Sequence, residues 1–172
     1  TVDMDADLRE TSIGDLCLLT DKPVIYVANV DEKSLATGGN IYVDQLKASV
    51  SAENAEVIVV CAAIEAQIAE IEDLDERAMF LSEYGLEESG LSKLIKSSYS
   101  LLNLITYFTA GVQEVRAWTI QKGWKAPQAA GVIHTDFERG FIRAQTIAYD
   151  DFIQFKGEGG AKEAGKMRAE GK

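Results

Sequence analysis

The sequence predicts an α/β unit with a parallel sheet, followed by a small α+β domain. Two nearly continuous apolar runs, at residues 24–30 and 57–61, are typical of parallel strands that are covered on both faces. Helical patterns follow each run, and alternating strands and helices favour a parallel sheet. The composition then changes near residue 110. Residues 1–112 carry 7 basic and 20 acidic residues, a net charge of −13, whereas residues 113–172 carry 10 and 8, a net charge of +2.

The overall composition excludes several classes of protein. The chain has 172 residues, 47% of them hydrophobic and 26% charged, which is the balance of a folded globular protein. Its apolar runs are far shorter than the roughly 20 residues that span a membrane, and its start does not resemble a secretory signal. Cys17 and Cys61 lie in apolar stretches, which excludes a disulfide scaffold and fits a reducing cytoplasm. The single histidine, His134, argues against a His-based metal site.

The first unit is predicted as strand, helix, strand and helix in turn. After the strand at residues 24–30, Asn40 is placed to cap a helix that extends to about Val50. After the strand at residues 57–61, the pattern predicts helices at residues 63–71 and 74–83.

A last helix closes this unit. Ser89 is placed to cap it, and its apolar positions keep helical spacing as far as Ile105.

The second unit is predicted from shorter signals. Residues 107–109 and 115–120 predict a hairpin, and Pro127 suits the first turn of a helix at residues 126–133. Three further segments complete the expectation: a strand at residues 142–149, a glycine-rich loop at 157–160 and a charged helix at 161–168.

Polar residues follow the first predicted strand, in the order Asn29, Val30, Asp31 and Glu32. Ligands of open α/β sheets bind beyond the carboxyl ends of the strands. GTP-binding proteins have Asn-Lys-x-Asp there, and its aspartate accepts hydrogen bonds from guanine N1–H and the 2-amino group. Here Val30 and Glu32 stand at the Lys and Asp positions, and adenine has neither of those donors. A site that holds adenine would therefore use Asn29 and main-chain groups. The alternative is an ordinary strand-to-loop turn with polar caps.

Small residues, Cys61, Ala62 and Ala63, end the second predicted strand. A turn of this kind can bring backbone N–H groups against a nucleotide base. The alternative is a strand that simply ends in small residues.

The chain lacks the motifs of phosphate or nucleophilic chemistry. No Gly-x-x-x-x-Gly-Lys-Ser/Thr loop is present in the sequence. A Ser-His-Asp or Cys-His set cannot be assembled convincingly around one histidine. The sequence therefore assigns no catalytic residue and no metal ligand.

Basic and aromatic residues alternate in the C-terminal third, a pattern that can bind RNA through phosphate contacts and base stacking. The candidate RNA-binding residues are Arg116, Trp118, Lys122, Lys125, Arg139 and Arg143. The alternative is a hairpin with a solvated face and tryptophans in a small core.

Several stretches together resemble one known family. They are residues 22–32, 107–111 and 114–120, and residues 125–142 with the pattern Lys-Ala-Pro-Gln-Ala-Ala-Gly-x-Ile-His-Thr-Asp-Phe-Glu-x-Gly-Phe-Ile. The sequence resembles the Obg-like ATPases, the YchF group of P-loop NTPases, over nearly its whole length.

The resemblance implies a longer, three-part protein: a P-loop nucleotide domain, a helical insertion and a C-terminal TGS domain of β-grasp type. Residues 1–20 would end the helical insertion, and residues 21–105 would form the C-terminal half of the nucleotide-binding (G) domain. Residues 106–172 would form a TGS domain that is cut short.

The family also implies a function: a cytoplasmic protein that prefers ATP to GTP, hydrolyses ATP and associates with the ribosome or RNA. Asn29, Val30 and Glu32 match its altered base motif, and Cys61, Ala62 and Ala63 its second base-contacting turn. The family's phosphate loop and Mg²⁺ ligands have no counterpart here, so this piece alone is expected to be inactive. The alternatives are an RNA- or ribosome-binding adaptor of TGS type without catalysis, and a regulatory interaction domain.

Overall fold

A computed structural model of the chain describes residues 16–53 and 55–171. They form two compact units, which divide between Leu102 and Asn103. The expected end of a helical insertion falls mainly on residues 1–15, which lie outside the described residues. Among the described helices, none has the length and apolar character needed to cross a lipid bilayer.

The first unit is built on a parallel pair of strands, as the apolar runs predict. β1 (Ile25–Asn29) and β2 (Glu56–Val60) pair in register from Ile25 opposite Glu56 to Asn29 opposite Val60. The carboxyl ends of the two strands therefore lie side by side.

Five α-helices are described in this unit: α1 (Glu32–Ala36), α2 (Ile41–Val50), α3 (Ala62–Glu70), α4 (Leu74–Glu83) and α5 (Gly90–Leu101). The predicted caps are confirmed. The Asn40 side chain accepts from the first N–H groups of α2, and the Ser89 hydroxyl accepts from Ser92 N–H at 3.1 Å in α5. The short helix α1 was not predicted.

The core of the first unit lies beneath the turn that follows β2. Its buried members are Leu35, Cys61, Ile64, Ile68 and Leu81. Ile64 has no exposed surface, and a side chain of this kind contributes about 1.5–3 kcal/mol on burial. Cys61 and Ile64 belong to this core, so it anchors the start of α3, whose first residues, Ala62 and Ala63, are part of the candidate base turn.

The second unit has two antiparallel strand pairs. β3 (Leu104–Ala110) pairs with β4 (Val115–Gln121), and β5 (Arg143–Thr146) pairs with β6 (Arg168–Gly171). The described helices are α6 (Ala126–Gly131), α7 (Thr135–Arg139), α8 (Tyr149–Gln154) and α9 (Glu158–Glu163). The predicted hairpin, the helix with Pro127 in its first turn and the α+β class are confirmed, although α6 ends at Gly131 and not at Ile133.

Two element boundaries were predicted wrongly. α5 ends at Leu101, so Ile105 lies in β3 and not in the helix. Asn103 follows with a φ of 53°, a left-handed conformation that asparagine tolerates and that ends the helix. The strand predicted at residues 142–149 covers only Arg143–Thr146, since Tyr149 begins a helix with two acidic residues in its first turn.

The predicted glycine-rich loop is also wrong, because residues 158–160 belong to α9. Gly160 packs so closely on the Phe155 carbonyl that a Cβ there would overlap it, so the glycine serves packing and not flexibility. The helix predicted at residues 161–168 ends at Glu163. Gly165 has a φ of 69°, and Arg168 lies in β6.

Candidate nucleotide-base site

An open cavity of about 600 Å³ lies at the carboxyl ends of β1 and β2. The backbone N–H of Val30 donates to the Val60 carbonyl at 2.8 Å, which holds the two strand ends together. The cavity is lined by Asn29, Val30, Asp31, Glu32, Lys33, Cys61, Ala62 and Ala63. The structure therefore brings together all six residues that the sequence suggests for base binding.

The Asn29 side chain bridges the two strand ends. Its Oδ1 accepts a hydrogen bond from the backbone N–H of Ala62 at 3.0 Å, across 33 positions of sequence. This contact orients the amide, because its oxygen faces Ala62 and its nitrogen must face the other way. Within the part of the chain that the structure describes, the Nδ2 group has no hydrogen-bond partner. The amide thus presents a donor at the exposed end of β1.

Asp31 caps the short helix α1. Its Oδ1 accepts from the backbone N–H of Ser34 at 2.8 Å, and this hydrogen bond holds the pKa of the Asp31 carboxyl below its usual value. The cap places Glu32 and Lys33 in the first turn of α1, beside the cavity. Asp31 and Lys33 are cavity residues that sequence reasoning left out, although an aspartate followed directly by a glutamate is typical of a helix start.

The second turn contributes backbone and small side chains. Cys61 is only 3% exposed and its side chain belongs to the core, whereas Ala62 and Ala63 are exposed. The methyl groups of the alanines leave room for a flat ring. The N–H of Ala62 already donates to Asn29 Oδ1, so the turn offers a ligand its shape and its remaining main-chain groups.

A carboxylate just beyond this turn holds the start of α5. Glu65 accepts from Gly90 N–H at 2.6 Å and from Leu91 N–H at 3.1 Å. Sequence reasoning missed Glu65, because its partners lie 25 and 26 residues away and no local pattern links them.

The candidate RNA-binding residues lie on several elements of the second unit. The Arg116 guanidinium lies 4.2 Å from the centre of the Trp118 ring, and Trp118 Nε1 donates to Thr109 Oγ1 at 2.9 Å. Strand alternation puts Trp118 on the same face of β4 as Ile120, which is 7% exposed. One face of the ring is thus covered by the chain's own arginine.

The other four candidate RNA-binding residues are exposed. They are Lys122 in the turn after β4, Lys125 just before α6, Arg139 at the end of α7 and Arg143 at the start of β5.

No metal-binding cluster is formed by the described residues. Residues 16–53 and 55–171 contain no group of three His, Cys, Asp or Glu side chains that could hold a metal ion.

Comparison with known proteins gives a consistent result. The profile of the family YchF-GTPase_C, described as "Protein of unknown function (DUF933)", matches residues 104–172. A protein of Bacillus subtilis (strain 168) named "Ribosome-binding ATPase YchF" is 61% identical over 165 residues, which cover 95% of this chain and 45% of that protein. A protein of the same name from Escherichia coli O157:H7 is 58% identical over 99% of this chain and 46% of its own length.

The fold is similar to a solved structure. The Schizosaccharomyces pombe YchF GTPase superposes with a TM-score of 0.82 at 38% sequence identity, over 100% of this chain and 45% of that one. The chain spans slightly less than half the length of the relatives that it matches.

Proposed function

Because the chain belongs to the YchF family, we propose that it forms the base-recognising and C-terminal part of a cytoplasmic, ribosome-associated ATPase. In this proposal residues 21–105 are the C-terminal half of the nucleotide-binding domain, and residues 106–172 are a TGS domain. The observation that carries it is the cavity at the strand ends, which is lined by all six candidate base-binding residues.

The geometry of Asn29 suits a purine. Its free Nδ2 donor matches N7, which is an acceptor in both adenine and guanine. Adenine and guanine differ at the neighbouring 6-position, where adenine carries an amino donor and guanine a carbonyl acceptor, so a protein group at this position can distinguish the two bases. Glu32 presents a carboxylate, which only accepts, and so favours adenine. Val30 is half-buried and supplies an apolar contact for the ring.

The residues present fit the base of ATP but not its triphosphate or Mg²⁺. Lys33 is the one cation among the described cavity residues, and those residues form no cluster of metal ligands. Bound ATP would supply the phosphoanhydride bond that is hydrolysed. This chain would hold and orient the adenine, and we propose that phosphate and Mg²⁺ binding come from the rest of a full-length protein. We propose that these 172 residues alone are inactive.

A second candidate function is an adaptor without catalysis. Two observations favour it: the exposed cations of the second unit, and the family match, which covers residues 104–172 and not the cavity. In that case the second unit would bind ribosomal RNA or protein and any nucleotide binding would be secondary.

Nucleotide binding to the full-length protein separates the two functions. Fluorescent ATP should bind and be displaced more readily by ATP than by GTP, since the base is what the cavity reads. Equal displacement, or a preference for GTP, would contradict the proposed reading of the base. If the protein sediments with ribosomes and binds neither nucleotide, the adaptor function is correct.

A further inference from the structure

The start of α5 is capped by a carboxylate from another helix. The first N–H groups of a helix have no partners within it, and a negative charge there is favoured by the helix dipole. Glu65, in the first turn of α3, accepts from two of them with its two oxygens, at 2.6 Å from Gly90 N and 3.1 Å from Leu91 N. α3 and α5 are therefore joined where both begin.

Gly90 also packs against the end of β2. It is buried, and a Cβ at this position would lie 2.6 Å from Val60 Cγ1 and 2.9 Å from Glu65 Oε1. No other residue fits there without displacing one of these neighbours. Val60 immediately precedes the turn at residues 61–63, and Glu65 follows it closely, so both flanks of the turn are held by the same glycine.

The middle of that turn has its own attachment, from Ala62 N–H to Asn29 Oδ1 at 3.0 Å. The turn is thus fixed at its centre by Asn29 and at its flanks by the Gly90 contacts. Glu65 does not line the cavity, so any effect that it has on a ligand passes through the turn.

We propose that Glu65 is a positioning residue of the base site, which holds the turn at Cys61, Ala62 and Ala63 in the conformation that contacts the base. This rests on the proposed function, in which that turn contacts a purine. Loosening the turn weakens contacts to the base and leaves the phosphates untouched. The expected signature is a higher KM for ATP with kcat unchanged.

The test compares Glu65→Gln with Ser89→Ala in the full-length protein. Glu65→Gln keeps the size of the side chain but loses its charge and one acceptor. Ser89→Ala removes the second cap of α5, which is the hydrogen bond from Ser92 N–H to the Ser89 hydroxyl. Ser89 makes no hydrogen bond to the turn or to α3 within the described residues. Both variants weaken the start of α5, but only Glu65→Gln releases the turn.

Glu65→Gln should raise the KM for ATP by about tenfold, the factor expected for loss of a charged hydrogen bond, and reduce the preference for ATP over GTP. Hydrogen exchange of the Ala62 amide should accelerate. Ser89→Ala should change none of these. If Glu65→Gln does not fold, Glu65→Asp serves instead. Its side chain is shorter, so the carboxylate keeps its charge but lies farther from the start of α5, and the same changes should appear with smaller magnitude.

Three results would overturn the proposal: equal changes in KM for both variants, an unchanged KM for Glu65→Gln, or an unchanged exchange rate of Ala62. Failure of the proposed function looks different. In that case the unmodified protein would not bind ATP, while the exchange of the Ala62 amide would still report whether Glu65 holds the turn.

Discussion

The side chain of Asn29 accepts a hydrogen bond from the backbone of Ala62, and the same residue lines the cavity. Oδ1 accepts from Ala62 N–H at 3.0 Å, and Nδ2 has no hydrogen-bond partner among the described residues, so the amide joins two strand ends and keeps a donor available. These two roles use different atoms of the amide, which allows substitutions to separate them.

Asn29→Asp should therefore abolish base recognition while leaving the site assembled. The carboxylate still accepts from Ala62, but it has no donor and places a negative charge near purine N7. We expect ATP affinity to fall by about 10- to 100-fold, with normal hydrogen exchange at Ala62. Asn29→Ala should lose both affinity and protection. Calorimetry with amide exchange on the two variants measures both roles, and full ATP affinity in Asn29→Asp would exclude Nδ2 as a base ligand.

The identity of the base should depend on the second and fourth residues of the motif. The double variant Val30→Lys, Glu32→Asp restores the guanine-type pattern, in which a bidentate pair contributes about 2 kcal/mol of discrimination. GTP affinity should rise relative to ATP affinity by roughly tenfold or more. The control is Lys33→Ala, which alters a cavity residue outside the pattern and should change both affinities alike. Unchanged dissociation constants for both nucleotides in the double variant would mean that these positions do not read the base.

Asp31 provides a pH-dependent cap for α1. The pKa of its carboxyl is lowered by the Ser34 N–H, so the ionised form is favoured in the folded chain. The cap is therefore fully formed above the unfolded pKa, near 3.8, and is lost as the pH falls through the lower folded value. Protection of the Ser34 amide, measured relative to its intrinsic exchange rate at each pH, should fall below that pH. In the Asp31→Asn variant the new amide side chain caps the helix without titrating, so this loss of protection should disappear.

Local patterns predicted which residues meet at the candidate site where that depends on local chemistry. Residues 24–30 were predicted as a strand because a strand covered on both faces must be apolar throughout. Asn29 was predicted as a site residue because it lies at the carboxyl end of that strand, where ligands of such sheets bind. Glu65 could not be predicted, since its carboxylate matters only once Gly90 has been brought to it across 25 residues. Trp118 is an intermediate case: strand alternation predicts that it shares a face of β4 with Arg116, but only the fold shows that the guanidinium covers one face of the ring.

The glycines of α9 also show that a local pattern cannot reveal a packing contact, and Gly159 and Gly160 provide two adjacent positions for comparison. Sequence rules assign residues 157–160 to a loop because glycine disfavours helices, whereas Gly160 is required by contact with the Phe155 carbonyl. Gly160→Ala should destabilise the fold by about 3 kcal/mol or more, because its Cβ would overlap the backbone. Gly159→Ala, where no heavy atom lies within 4 Å, should be neutral or more stable by up to about 1 kcal/mol. Urea unfolding measures both, and equal effects would contradict the packing of Gly160.

In the proposed function, the exposed cations of the second unit should make binding to ribosomal RNA sensitive to salt. Lys122, Lys125 and Arg139 are exposed, and each cation that contacts a phosphate steepens the dependence of log K on log salt concentration by about 0.7–0.9. The triple alanine variant at these positions should therefore bind ribosomal RNA more weakly and flatten the slope by about 2–3.

Its control is the triple variant Lys162→Ala, Lys166→Ala, Arg168→Ala, which removes the same charge from α9 and the segment that follows it. If the cations act as specific phosphate contacts, the control should keep most of the slope, whereas a general attraction would reduce both slopes alike. Filter binding of the full-length protein across a salt series distinguishes these outcomes. Wild-type affinity and slope in the first variant would exclude this basic set as an RNA contact. The second unit would then be a protein-binding or intramolecular module, because its net charge of +2 over residues 113–172 attracts a polyanion only weakly on its own.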